Sequence, residues 1–247
     1  MPCVPSTTCG LPANNQTGNL YVNSISPLNL PIPHHSHHSP MSIPNPKDIF
    51  ISTPKALIPT LPRYAYEGRI EVVQSQREAM AAVQALRRYT LLGIDTETRP
   101  VFHKGAHNKV ALLQVACKDL CFLFRLNMID FLPCLIELME DASLPKVGLS
   151  LRDDRAALHN RHPFTPGGWI DLQDIAAQMG IEDMSLQKLY ANFFGMRISK
   201  SARLSNWEAD VLSESQKVYA ATDAFACLTL YDEFCRLNET KAYRLVE

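Results

Sequence analysis

The first 46 residues contain no Lys, Arg, Asp or Glu. A segment without charge and crowded with Pro, Ser, Asn and Thr has little to bury and is expected to be disordered. Because this stretch is so unlike the rest of the chain, Met41 is a candidate start, with the preceding residues an over-extended reading frame. No apolar run approaches the ~20 residues needed to cross a bilayer. The N-terminus also lacks the basic start and apolar core of a secretory signal, so the chain is expected to be cytoplasmic, with no membrane association. Neither sign of charge dominates: 24 Lys and Arg face 25 Asp and Glu. A pI near 6.7 excludes a histone-like or membrane-surface protein while leaving room for local phosphate contacts. The seven cysteines, Cys3, Cys9, Cys117, Cys121, Cys134, Cys227 and Cys235, form no framework and read as reduced thiols. Cys117 and Cys121 lack a second close pair, and Lys118-Asp119 between them reads as a turn. There is no Gly-rich phosphate loop and no His-Glu-x-x-His, and Gly148-Leu-Ser150-Leu-Arg152 fails the Gly-x-Ser-x-Gly elbow at its last position.

At 247 residues and 46% hydrophobic, the chain can build one substantial core. His34, His35, His37 and His38 offer a loose transition-metal site, or more simply a solvated, incidental cluster. In residues 48–62, Pro54, Pro59 and Pro62 work against a regular element, which predicts an extended arm. A short strand is expected at 69–73. Ser75 and Glu78 then form a capping box for a helix over 75–88, with Ala79, Ala82, Val83 and Leu86 on one face. Residues 110–116 and 120–126 read as strands joined by a tight turn, making an antiparallel meander with 91–94. Further on, helices are expected at 132–139, 154–161, 172–179, 185–194 and 214–237, the last behind a Ser213/Gln216 capping box, and short strands at 145–148 and 169–171. The result is a mixed α/β sheet covered by helices.

The chain is organised around residues 91–98, Leu-Leu-Gly-Ile-Asp95-Thr-Glu97-Thr. A buried strand ending in two carboxylates one residue apart puts Asp95 and Glu97 on the same face at the sheet's edge with solvent. Like charges so close repel unless a cation lies between them, and Mg²⁺ or Mn²⁺ prefers such oxygen donors. Taken alone the pair is more simply a solvated strand end; Glu208 and Asp210 make another. The loop 99–109 carries His103, Lys104, His107 and Lys109, and reads either as a phosphate contact or as an ordinary wet loop.

Two more segments supply partners. Tyr219 and Asp223 are four apart and share one helix face. Asp223 sits among Ala220, Ala221, Ala224, Phe225 and Ala226, where a carboxylate is costly to bury without a counter-charge. In Lys146-Val-Gly-Leu-Ser-Leu-Arg-Asp153-Asp154 a strand hands over to a helix. Helix capping explains one of those two aspartates, and spacing does not choose between them. Lys188, Arg197, Lys200 and Arg203, with no acid among them, suit a polyanionic backbone, or a solvated face.

Asp95-x-Glu97, an Asp after Lys-x-Gly148, and Tyr219-x-x-x-Asp223 together resemble the DEDDy class of 3′ to 5′ exonucleases, the class of ribonuclease D and of the Werner syndrome helicase's exonuclease domain. Lys-Val-Ala-Leu-Leu-Gln114 and Ser-Asn-Trp207 add to the resemblance, which covers about residues 69–237. It implies a ribonuclease H-like fold with a five- or six-stranded sheet, and a hydrolase domain over 63–247 behind a tail (1–46) and an arm (47–62). It implies two Mg²⁺ or Mn²⁺ ions held by Asp95, Glu97, Asp154 and Asp223, with Asp153 the fallback for the third acid, and Tyr219 orienting the attacking water. Thr96, Thr98, Lys200 and Arg203 are the expected contacts to a DNA or RNA 3′ end. These 247 residues are expected to leave no room for ribonuclease D's extra C-terminal helical domains or for a helicase, so substrate capture by such attachments is not among the expectations. A catalytically silent nucleic-acid-binding or scaffolding module of the same fold is the alternative, and a small-molecule metallophosphatase a third reading. The sequence points to no protein partner and does not separate DNA from RNA.

Overall fold

A computed structural model describes residues 46–247 apart from Lys104 and Ala106. The charge-free tail with Met41, the four clustered histidines, Cys3, Cys9 and Lys104 lie outside the described residues. In chain order come β1 (Lys47–Phe50), a 3-10 turn (Ile58–Thr60), β2 (Arg63–Tyr64), β3 (Arg69–Val73), α1 (Gln76–Leu86), β4 (Leu92–Thr98), β5 (Val110–Cys117) and β6 (Leu120–Arg125). They are followed by α2 (Leu126–Ile129), α3 (Pro133–Glu140), β7 (Lys146–Gly148), α4 (Leu151–His159), β8 (Trp169–Asp171), α5 (Leu172–Gln178), α6 (Leu186–Phe194), β9 (Arg197–Ile198), α7 (Glu214–Thr240) and β10 (Tyr243–Val246). Among the described residues no helix is long and apolar enough to cross a membrane.

Six strands form one sheet in the order β3-β6-β5-β4-β7-β8. β4, β5 and β6 make the expected antiparallel meander, while β3, β7 and β8 join in parallel, so β5 alone runs against the other five. Every residue of β5 is buried, as a central strand covered on both faces requires. One face packs Leu92, Ile94, Leu113 and Val115 against α1, α3 and α4. The other packs Leu112, Ala116 and Leu123 against α5, α6 and α7.

The capping boxes form as the sequence predicts: Ser75 with Glu78, and Ser213 with Gln216. α4 differs, beginning at Leu151 rather than at Asp154. The Asp171 carboxylate, at the end of β8, accepts from the Ser150 and Leu151 backbone N–H groups at 2.9 and 2.8 Å and starts the helix a turn early. The proline-rich stretch also holds more regular structure than expected. β1 precedes the first of those prolines and pairs in parallel with β10, a strand that the sequence does not signal. The stretch is tied down at Asp183, a buried carboxylate that accepts from the Thr53 N–H at 3.0 Å and from Lys188 Nζ at 2.9 Å.

α7 lies close against the sheet because Gly93 faces it: a Cβ there would come within 2.2 Å of the Ala224 carbonyl oxygen. With Ala220, Ala221 and Ala224 fully buried on the helix, small residues on both sides set the separation of β4 from α7. Gly93→Ala is expected to destabilise the protein by about 1–3 kcal/mol or more through overpacking, read as a lower denaturation midpoint at unchanged slope.

Candidate metal centre

Four acids converge at the C-terminal end of β4. Asp95 and Glu97, two apart on the strand, point to the same face as Gly93, toward α7. Asp223 comes down from α7, and carboxylate oxygens of Asp95, Glu97 and Asp223 all lie within 4.8 Å of one another. Asp154 arrives from the opposite face of the sheet. Thr96, between the two strand acids, donates its hydroxyl to Asp154 Oδ1 and holds it at the strand end. The early start of α4 puts both neighbouring aspartates in its first turn, yet Asp153 turns out to solvent beside Arg152, its side chain 81% exposed. The structure therefore brings together Asp95, Glu97, Asp154 and Asp223 and leaves Asp153 apart.

Their electrostatics are those of too much negative charge in too little water. Burial, then repulsion from Asp154, Asp223 and Glu97, pushes Asp95 well above the ordinary carboxylate range. Burial, then Asp223 and Asp154, raises Glu97 to about 9, while Arg203 pulls it the other way. Burial raises Asp223 to about 7 against the Tyr219 hydroxyl and Lys200, and raises Asp154 to about 6 against the Thr96 hydrogen bond. Two exposed cations at the rim do not neutralise four acids. A hard divalent ion fits the donor set, because oxygen ligands of this charge and proximity are what Mg²⁺ and Mn²⁺ bind.

Tyr219 stands one turn before Asp223, half-buried against it. Burial and the charges of Asp223 and Glu97 push its phenol far above its usual value, so it keeps its proton. Its ring lies 6.0 Å from that of Trp207, which is fully buried. Sequence reasoning gave Trp207 no role; its place behind Tyr219 depends on how the segment after β9 folds back. Arg125, also buried, holds that segment by donating to the Ala209 and Asp210 carbonyls.

Of the basic run, Lys188 is committed to Asp183, and Arg197 Nε donates to the Leu61 carbonyl at 3.0 Å. Lys200 and Arg203 are exposed, make no ion pair among the described residues, and are the two whose charge reaches the acids. Thr98 is half-buried at an irregularity where the β4–β5 register shifts. In the loop beyond, His103, His107 and Lys109 are exposed, and an Arg99–Glu208 ion pair at 3.2 Å ties the loop to the segment carrying Trp207.

Residues 70–237 match the family model described as 3′-5′ exonuclease. The mouse bifunctional 3′-5′ exonuclease/ATP-dependent helicase WRN is 31% identical over 156 residues, a match covering 61% of this chain and 11% of that protein. An Arabidopsis thaliana 3′-5′ exonuclease is 30% identical over 228 residues, covering 80% of this chain and 79% of its own. Among solved structures, the Aedes aegypti Nibbler EXO domain superposes with a TM-score of 0.66 at 21% identity, over 73% of this chain and 95% of that one. The Trypanosoma brucei RNase D complex with RNA U12 gives 0.62 at 19%, over 72% and 64%. The fold is the ribonuclease H-like one.

The raised acids fix a pH dependence. A carboxyl group whose folded-state pKa exceeds its unfolded value binds more protons when folded, so stability falls as pH rises through that window. Here the window opens near the ordinary 3.8–4.5 and runs through about 6, 7 and 9. Carboxylates held low by partners, such as Asp130 and Asp141, lose their contribution only below it. In EDTA the melting temperature is expected to drop between pH 5 and 7.5. Mn²⁺ should restore it more at the higher pH, and Asp95→Asn should flatten the dependence. Thermal unfolding at both pH values checks all three.

Proposed function

The chain belongs to the 3′-5′ exonuclease family, and from that premise we propose that it is a divalent-metal-dependent enzyme hydrolysing phosphodiester bonds at nucleic acid 3′ ends, through residues 63–247. What carries the reading is the cluster at the end of β4: acids from three segments far apart in sequence meet beside a phenol and two exposed cations. We assign Asp95, Glu97, Asp154 and Asp223 to hold two Mg²⁺ or Mn²⁺ ions. When bound, such ions acidify water into a nucleophile and relieve charge on the leaving 3′ oxygen.

The protein's own side chains set the rest of the reaction. Thr96 keeps Asp154 turned to the site instead of meeting substrate through its hydroxyl. Tyr219, protonated and backed by Trp207, is no general base; it orients the attacking water by hydrogen bonding. Lys200 and Arg203 take the scissile phosphate, with Thr98 at the rim. Beyond Lys200, a groove lined by Lys55, Ser185 and Arg197, with the Asp183-paired Lys188 in its wall, continues the positive surface and suits the backbone of a strand entering by its 3′ end. The substrate is DNA or RNA, and a cytoplasmic location is part of this reading.

The direct test is digestion of 3′-labelled and 5′-labelled DNA and RNA oligonucleotides with Mg²⁺, Mn²⁺ or EDTA. Metal-dependent shortening from the 3′ end is expected. Binding without shortening in Mn²⁺ would instead return the silent-module reading. Asp95→Ala and Asp223→Ala should abolish turnover while the fold survives by circular dichroism. Tyr219→Phe should cost about 10²-fold or more in kcat with Mn²⁺ affinity kept, the range of a positioned proton-handling group.

A further inference from the structure

Gln114 is fully buried at the middle of β5, and neither its amide nitrogen nor its carbonyl oxygen has a hydrogen-bond partner among the described residues. Other buried polar side chains do: Arg125 and Lys146 donate to carbonyls, Asp183 accepts from Thr53, and Asn192 bridges the Phe50 backbone. An unpaired buried carboxamide is destabilising, and native proteins keep few of them. In the antiparallel ladder Gln114 is directly opposite Asp95, so the two share a face with Cβ atoms about 4.5–5.5 Å apart. Along the strand its neighbours on that face are Leu112 and Ala116, and Leu123 stands opposite on β6, all apolar, while Glu97 and Arg125, both opposite Leu112, are diagonal to it. Asp95 is thus the hydrogen-bonding side chain directly across from the carboxamide, and the amide N–H complements it as a donor.

We propose that Gln114 is the positioning residue for Asp95: in the cation-loaded site its Nε2–H donates to the Asp95 carboxylate and fixes that group's orientation toward the ion. The proposal rests on reading the acid cluster as a divalent cation site. It separates Gln114 from an ordinary core residue by sign. A bond made only in the loaded state adds to cation affinity, while the same amide, left unpaired, weakens the cation-free fold. Second-layer hydrogen bonds to metal-binding side chains are worth about 10- to 100-fold in affinity.

The test measures two quantities on the full chain: melting temperature in EDTA and Mn²⁺ affinity by titration calorimetry. Gln114→Met keeps the length and removes the polar atoms; Gln114→Leu serves if the methionine variant fails to fold. The expected result is a melting temperature about 2–4 °C higher in EDTA, together with Mn²⁺ affinity at least about tenfold weaker. In an Asp95→Ala background the same substitution should leave whatever Mn²⁺ affinity remains unchanged, because the acceptor is gone. A folded Gln114→Met protein with wild-type Mn²⁺ affinity would overturn the proposal while leaving the metal centre standing. A wild-type protein that binds no Mn²⁺ would overturn both.

Discussion

Mutual repulsion among buried and half-buried carboxylates is the constraint on which the site depends. Asp95, Glu97 and Asp223 sit close enough to share a ligand, and Asp154 adds to their charge from across the sheet. In water four acids would separate. Here the backbone of β4, the first turn of α4 and the middle of α7 hold them together, and the opposition appears as raised proton affinities. Folding energy gained elsewhere holds the acids together, and positive charge placed among them would relieve their repulsion.

That arrangement explains features of the fold with no other evident purpose. A glycine in β4 and a run of alanines on α7 bring helix and strand closer than ordinary side chains permit, delivering Asp223 to Asp95. The β8 residue Asp171 caps a helix it does not belong to, turning Asp154 inward and Asp153 outward. Arg125 is buried against the carbonyls of the segment that carries Trp207 to the back of Tyr219. Each contact joins one part of the site to a scaffold built for rigidity, and sites held this way keep their geometry better than sites on free loops.

Much of this was legible in the sequence because it is local. An apolar run ending in Asp95-x-Glu97 specifies a strand and its exposed end. Capping boxes at Ser75 and Ser213 announce the helices behind them, and a four-residue spacing puts Tyr219 and Asp223 on one face. The family resemblance then singled out Asp154, which spacing alone left level with Asp153. What sequence could not give depends on long-range contact. The start of α4 is set by a carboxylate some 20 residues later. The pairing of β1 with β10 joins the two ends of the described chain. The isolation of Gln114 becomes visible only when the β4–β5 register places it opposite Asp95. Lys188 and Lys200 looked alike in the basic run, and only the buried Asp183 distinguishes the committed cation from the available one.

The central claim is that these acids are held together against their own repulsion in order to bind divalent cations. Anomalous diffraction from crystals of the protein soaked in Mn²⁺ at neutral pH addresses it most directly. Manganese peaks among the carboxylate oxygens of Asp95, Glu97, Asp154 and Asp223 are the predicted result. Manganese found only elsewhere on the surface, with this cluster unchanged and metal-free, would contradict it.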